Sequence, residues 1–502
     1  MAGPASPPQR SSGRHMLHGS FWMILLRWTL RLIGLVSTII LARLLTPADF
    51  GIVSMAMIVV GILEVLNQTG QQLAIIRLEH PTRDDYDAAW TISALVGVII
   101  AVAILIVAPF TQAYFHEPRA VIVMQCLALR AFLSGLENVG VVDFRRDVRF
   151  DRFFTYNAYP KIFSFFVTIG LAWYLRNYWA LVGGILANQA SRIVLSYIMH
   201  AYRPRISFKK VAGLWSFSTW TLLRSIGITI NSQVDQIIIG GISGVSAMGR
   251  YSVASDIAAT PSREVNEPLV TVLYSVMAKF QSDMGELRSL FLRTLGWSTI
   301  ICSSTSVGVA LVAPELVPLV LGHKWLDVEP LMGWLALSAG ALGFGSTAYI
   351  LFDLIGKPHL GARMQWVRLV MLAILLAPVG LITRDLYWIA VARFVVTVVF
   401  LPTLFIAAGR HINVSLGDYI NVFWRPLLAA AIMALAVEYL RMLLAGPDFL
   451  RLIASVSTGA LVYTGTLLLL WRLSGRPASP EQDLLGIVRG VANKFLIRER
   501  RA

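Results

Sequence analysis

Two cysteines, Cys126 and Cys302, are all that this 502-residue chain carries, and both fall inside apolar runs. A disulfide framework and a thiolate-ligated metal centre are thereby excluded. Histidine is sparse, with 8 residues placed mostly in loops or near the ends, so no His/Cys/carboxylate cluster marks a metal site. No Gly-rich loop ending in Gly-Lys-Ser/Thr is present, which speaks against direct ATP drive, and no cofactor is expected. Long polar connections are missing as well. Asp84-Asp85 precede no large loop, which argues against a membrane glycosyltransferase, polymerase or ligase.

Charge is the scarcest commodity. Charged residues make up 14% of the chain against 56% hydrophobic, and the mean hydropathy is +0.68. Apolar runs of about 20 residues, each long enough to cross roughly 30 Å of hydrocarbon, recur from Phe21 to the 470s. The pattern predicts an all-α integral membrane protein with about fourteen transmembrane helices. They are expected near 20–45, 50–77, 85–114, 119–143, 152–175, 177–202, 211–241, 247–278, 286–313, 328–355, 359–382, 386–409, 417–444 and 449–473. The first run is too long for a signal-peptide core and is expected to stay in the protein. Span length and the absence of period-2 alternation exclude a β-barrel.

The net charge of +15 has a topological origin. With the N-terminus inside, inner connections hold Arg77 and Arg83, then Arg145, Arg146, Arg149 and Arg152, then Arg203, Arg205, Lys209 and Lys210. Later ones hold Lys279, Arg288, Arg293, Lys357, Arg363, Arg368 and Arg410, whereas outer connections hold roughly one basic residue each. This alternation predicts both termini in the cytoplasm and leaves no role for nucleic acid. Residues 1–19 read as a flexible cytoplasmic tail. Residues 475–502 read as a basic amphipathic tail, with Leu484, Leu485, Ile487, Val488, Val491, Phe495 and Leu496 on one side, lying on anionic lipid.

An internal repeat organises the middle. Leu25-Leu26-Arg27 is echoed by Leu222-Leu223-Arg224, and Gly51-Ile-Val-Ser-Met-Ala56 by Gly249-Arg-Tyr-Ser-Val-Ala254. Six spans separate the copies, so both share one orientation. The repeat predicts two pseudo-symmetric six-helix lobes, 20–205 and 206–410, with two extra helices over 411–474. In the first copy, Thr46-Pro47-Ala48-Asp49 has the chemistry of a capped helix start, with Thr as N-cap, Pro at the first position and Asp at the third.

LLTPADFG after the first span resembles the corresponding turn of bacterial oligosaccharide flippases, the carriers of lipid-linked polysaccharide repeat units in the multidrug/oligosaccharidyl-lipid/polysaccharide flippase superfamily. DFRRDVRFDR (Asp143 to Arg152) resembles their basic loop between spans four and five. SQVDQIIIGGISGVSAMGRYSVASDIAATP (Ser232 to Pro261) resembles their seventh and eighth spans. One departure lies in the second span, where LEVLNQTGQQLAIIR stands in place of the family's Asp-Leu-Gly. The resemblance implies two six-helix lobes around a central cavity that opens alternately to the two faces, moving undecaprenyl-diphosphate-linked oligosaccharide from the cytoplasmic to the periplasmic leaflet of the inner membrane for O-antigen, capsule or exopolysaccharide synthesis. Partners would be that lipid-linked oligosaccharide, membrane lipids and other polysaccharide-assembly proteins. A cation-coupled multidrug exporter on the same scaffold is the alternative.

Ionisable residues inside spans cost roughly 2.5–3.5 kcal/mol each to insert and generally face a cavity or a partner. Arg27 and Arg31 lie one turn apart on the first span, and Arg224 and Arg263 follow on the seventh and eighth. A diphosphate calls for such bidentate guanidinium donors, and these four are the candidate diphosphate ligands. For Arg27, snorkelling to the surface is the competing reading. Glu64, Asn67 and Gln68, with Gln71, form a polar stripe on the second span. Asp235 lies on the seventh, and Asp256, Glu264 and Glu267 on the eighth, where Arg263 and Glu267 have the spacing of an ion pair and Pro261 and Pro268 suggest a kink. These are the candidates for the cavity and for ion coupling, set against a purely packing role. Arg130 with Glu137, Lys161, Arg192, Asp353, Arg393 and Glu438 with Arg441 read as structural pairs or interfacial residues.

Overall fold

A computed structural model describes residues 10–67, 75–76, 78, 81–147, 149–209, 219–281, 283–444, 446–476, 479–483 and 485. Among the described residues there is no strand. Fourteen long helices follow one another among the described residues: α1 (Arg10–Leu44), α2 (Pro47–Glu64), α3 (Arg83–Phe115), α4 (Pro118–Gly135), α5 (Phe150–Leu175), α6 (Trp179–Met199) and α7 (Thr219–Ile242). After these come α8 (Gly244–Met277), α9 (Met284–Leu316), α10 (Glu329–Leu354), α11 (Pro358–Thr383), α12 (Leu386–Gly409), α13 (Leu416–Leu443) and α14 (Asp448–Leu473). The protein is an all-α membrane protein.

Among the described residues, twelve of these helices are long and apolar enough to cross a membrane, rather than the fourteen expected. The two others are α7 and α8. Within α8, Arg250, Asp256, Arg263, Glu264 and Glu267 crowd into 18 residues, more charge than an ordinary apolar span carries. The helix nonetheless runs unbroken from Gly244 through Pro261 and Pro268 to Met277. Several basic residues read as loop charges prove to be helical, among them Arg83 in α3, Arg152 in α5 and Arg288 and Arg293 in α9. Arg363 and Arg368 lie inside α11, and Arg368 is buried. The amphipathic helix expected beyond residue 483 lies outside the described residues, apart from 485.

The chain divides into two compact units. Unit 1 covers the described residues up to Thr229 together with Gly244–Gly249; unit 2 covers Ile230–Ser243 and everything from Arg250 onward. In unit 1, α1 packs on α5, α2 on α4, α3 on α4, and α5 on α6. In unit 2, α9 packs on α10 and α13, α10 on α12, and α13 on α14. The core of unit 2 centres on Phe291, Phe352, Phe400 and Tyr419, all buried.

The turn Leu45–Phe50 shows how local sequence positions unit 1. Thr46 and Asp49 form a complete capping box at the start of α2, worth about 1 kcal/mol. Asp49 Oδ2 accepts from the Thr46 amide at 2.9 Å, which leaves Oδ1 to accept from the Tyr178 amide at 2.9 Å. One carboxylate thus ends one helical hairpin and ties it to the start of α6. Leu45, fully buried, packs beside Leu41, Ala172 and Ala180 beneath this junction.

Candidate functional site

The polar stripe of α2 meets its partner on α4. Glu64 accepts from Arg130 Nη1 at 2.8 Å and 2.9 Å, one distance to each carboxylate oxygen. One turn on, Asn67 Nδ2 donates to Ser134 Oγ at 3.4 Å. Glu64 and Asn67 sit three apart on their strand of helical backbone, and Arg130 and Ser134 four apart on theirs, so each pair shares a face. Together with Gly61, Val65 and Thr229 these four line a cavity of about 290 Å³. The site exists because α2 runs apolar from Met55 to Leu63 and then presents the Glu64 carboxylate where α4 presents its arginine.

Arg130 also lines a second cavity of about 410 Å³, between α1, α2, α5 and α6. Its polar wall includes Lys161, Ser164, Thr168 and Asn188, facing Ser37 and Ser54. Asn188 Nδ2 donates to Ser164 Oγ at 3.4 Å. Thr168 Oγ1 donates to the Ser164 carbonyl at 2.6 Å, and a Cβ on Gly184 would stand 1.8 Å from that hydroxyl oxygen. The missing side chain at 184 is what lets α5 and α6 close on each other here. Two cations, Arg130 and Lys161, thus border one membrane-embedded cavity, and the carboxylate of Glu64 balances the first. The arrangement is able to receive an anionic group beside hydroxyl and amide donors.

The other expected residues are placed as follows. Arg27 and Arg31 are half-buried on α1, outside the linings of these two cavities. Asp256, Arg263 and Glu267 are exposed on α8, and Glu264 is half-buried. The ion pair of Arg263 runs two turns back to Asp256, at 3.5 Å, where the four-residue spacing pointed to Glu267. Asp235 is buried in unit 2, where it accepts from Tyr251 Oη at 2.5 Å and pairs with the Arg393 guanidinium. Nearby, Asn231 Nδ2 donates to the Gln365 carbonyl at 2.7 Å. The side chain of Arg224 and the whole of Gln68 and Gln71 lie outside the described residues.

One further placement differs from the spacing argument, and two add to it. Arg130 does not pair with Glu137. Glu137 instead accepts from Tyr156 Oη and, at 3.2 Å, from Arg192, whose guanidinium lies over the Tyr156 ring. Arg441 joins Glu438 at 3.0 Å as its spacing suggests, and adds buried Glu315 at 2.8 Å. Arg368, expected among the charges of an inner connection, carries no spacing pattern that would have marked it as buried. It is buried on α11, and among the described residues no carboxylate lies within ion-pair distance of it.

The basic motif between α4 and α5 folds around its acidic residue. Asp143 accepts from Tyr86 Oη at 2.6 Å and lies 3.1 Å from Arg146 and 3.3 Å from His200 Nε2. Burial alone would push the Asp143 carboxyl up. The hydrogen bonds from His200 and Tyr86, with the Arg146 charge, outweigh it and hold the group below the usual carboxylate range. Beside it, Tyr202 Oη donates to Asp87 at 2.5 Å, and Asp87 also accepts from the Arg205 amide at 3.0 Å. Burial and that neighbouring carboxylate push the Tyr202 phenol up. Arg145, Arg149, Arg152, Arg203 and Arg205 remain exposed around this knot.

Comparison with known proteins places the chain. A family model described as "Polysaccharide biosynthesis protein" matches residues 40–330. The succinoglycan biosynthesis transport protein ExoT of Rhizobium meliloti is 23% identical over 86% of this chain and 88% of its own length. The lipopolysaccharide biosynthesis protein WzxC of Escherichia coli is 22% identical over 63% of this chain and 65% of its own. Among solved structures, the lipid II flippase MurJ in an inward closed conformation superposes with a TM-score of 0.72 at 13% identity. That match covers 91% of this chain and 99% of the other.

Proposed function

The chain belongs to the polysaccharide biosynthesis protein family, and on that premise we propose that it carries a lipid-linked oligosaccharide across the inner membrane. The substrate is an undecaprenyl-diphosphate-linked repeat unit, and the direction is from the cytoplasmic to the periplasmic leaflet by alternating access. Both termini then lie in the cytoplasm, as the distribution of basic residues supports.

The observation that carries this reading is the Arg130–Lys161 cavity of unit 1, two cations beside hydroxyl and amide donors within membrane-spanning helices. Such a combination suits a diphosphate attached to sugar, because guanidinium groups fork onto phosphate oxygens while neutral amide and hydroxyl groups donate to sugar oxygens. It suits a small lipophilic cation poorly. Arg27, Arg31, Arg224 and Arg263 are assigned to the path that the diphosphate follows, and Glu64 to the partner that Arg130 exchanges for phosphate. Asp235 is assigned a packing role, since its carboxylate is committed to Arg393 and Tyr251.

The test is a deletion strain. Lipid-linked repeat units are expected to build up on the cytoplasmic face and surface polysaccharide to fall; a strain with normal polysaccharide and no such lipid overturns the proposal. Arg130→Gln and Lys161→Gln, checked for membrane insertion, are expected to reproduce the deletion phenotype. Export of cationic dyes from a pump-deficient host by the wild-type chain would favour a drug exporter instead.

A further inference from the structure

Within unit 2, residues Ser479–Asp483 fold back on α9 and α13 and form one wall of the groove between them, a plug that covers Arg293 and Arg425 while the groove beside it stays open. The groove measures about 940 Å³ and is walled by Leu292, Ile300, Val422 and Pro426 on its apolar side. Two carboxylates from the plug enter it. Glu481, 2% exposed, lies 3.0 Å from Arg425, itself 7% exposed. Asp483 takes a fork from Arg293, with Nε at 2.9 Å and Nη2 at 2.6 Å. Pro480 is seated against α9 where residue 296 has no side chain; a Cβ there would stand 2.8 Å from its Cγ.

The charge balance tells what this groove requires. Asp418 on its rim is already neutralised by Arg288 at 2.7 Å. Without the plug, Arg293 and Arg425 are left with no counter-charge from the groove, and Arg425 is buried among apolar side chains. An uncompensated buried guanidinium is strongly unfavourable. Whatever replaces the plug must therefore bring negative charge in a form that forks onto guanidinium, together with an apolar body to lie along Leu292, Ile300 and Val422.

We propose that this groove is a binding site for an anionic phospholipid, whose phosphate takes the place of the Glu481 and Asp483 carboxylates on Arg425 and Arg293. The segment 479–483 is a built-in competitor for that lipid. Occupancy of the site by lipid and docking of the tail exclude each other. The site is independent of the substrate path proposed above, and its test needs no transport measurement.

The experiment is lipid retention by the full-length protein, purified in detergent with phosphatidylglycerol or phosphatidylcholine and read by native mass spectrometry. Glu481→Gln with Asp483→Asn is expected to raise retention of phosphatidylglycerol, relative to wild type, by about tenfold. Gly296→Val leaves every charge in place and ejects Pro480 by volume, and it is expected to give the same gain. Arg293→Gln with Arg425→Gln is expected to abolish the preference for phosphatidylglycerol over phosphatidylcholine. Size-exclusion profiles establish that each variant is folded, and Gly296→Val serves where the carboxylate variant is not. Equal retention in wild type and both plug variants overturns the proposal, as does an undiminished preference in the arginine variant. Inorganic diphosphate that competes while neither lipid is retained would make the ligand a free phosphate and overturn the lipid assignment.

Discussion

Gly51 and Gly249, 198 residues apart in sequence, make reciprocal contacts within unit 1. A Cβ on Gly51 would stand 1.9 Å from the Val245 carbonyl oxygen, and a Cβ on Gly249 would stand 1.7 Å from that of Pro47. Pro47 precedes Gly51 by four residues, and Val245 precedes Gly249 by four. Each repeat glycine therefore touches the position four residues before the other, the signature of a local two-fold relation. The first turns of α2 and α8 meet backbone to backbone, which only residues without side chains allow.

Gly51→Ala and Gly249→Ala are each expected to lower stability by about 1–3 kcal/mol, because the obstacle is a carbonyl rather than a movable side chain. Gly34→Ala supplies the control, since nothing lies within 4 Å of a Cβ built there. Thermal unfolding in detergent, followed by tryptophan fluorescence, separates the three. A Gly249→Ala protein as stable as the Gly34→Ala protein would contradict the close approach.

The Glu64–Arg130 pair supports a double-mutant cycle. Glu64→Gln and Arg130→Gln each leave a half-buried charge without its partner, at a cost of about 1–3 kcal/mol. The double variant removes both charges and is expected to cost less than the sum of the singles. Denaturant unfolding of the four proteins measures the coupling; strict additivity would mean that the ion pair makes no contribution.

Much of this was legible in the sequence, and for identifiable reasons. Helix positions follow from apolar run length, and the Thr46–Asp49 cap follows from residue chemistry at fixed spacing, so both are local properties. The repeat glycines were visible as an echo, though their reciprocal contact was not. The ionic partners were the least legible. Arg130 chooses Glu64 on another helix over Glu137 seven residues away, and Arg263 chooses Asp256 over Glu267. Spacing along one helix fixes which residues share a face, whereas pairing depends on what the neighbouring helix presents to that face. Arg368 shows the same limit from the other side, because only packing reveals that α11 buries it.

Acidification is expected to loosen the loop that follows α4. The Asp143 carboxyl is held below its ordinary value of 3.8, so its contribution to stability is fully present above that value and is lost as pH falls through the lower, folded-state one. At neutral pH the same loss is expected from Asp143→Asn, which weakens acceptance from His200 and removes the attraction to Arg146. Limited trypsin digestion reports it, with faster cleavage at Arg145 or Arg149 in the variant than in wild type. Unchanged cleavage would show that Tyr86 and the surrounding apolar contacts hold the loop without the carboxylate.

The Asp235–Arg393–Tyr251 cluster is the place where one substitution is expected to do the most structural damage. The side chains of Arg393 and Asp235 are 13% and 1% exposed, so water cannot replace a missing partner. Among the described residues Asp235 is the carboxylate paired with Arg393, so Asp235→Asn strips that guanidinium of its counter-charge, and breaking such a buried pair costs about 3–5 kcal/mol. Asp235→Asn with Arg393→Gln takes away both charges and is expected to recover much of that loss. Tyr251→Phe deletes the hydroxyl's hydrogen bonds to Asp235 and from Arg393 and leaves the ion pair, with an expected cost of about 0.5–1.5 kcal/mol per bond. Yield of monodisperse protein and its unfolding midpoint rank the variants. An Asp235→Asn protein more stable than Tyr251→Phe would mean that this carboxylate is dispensable for packing, and would move Asp235 from a structural assignment to the transport path.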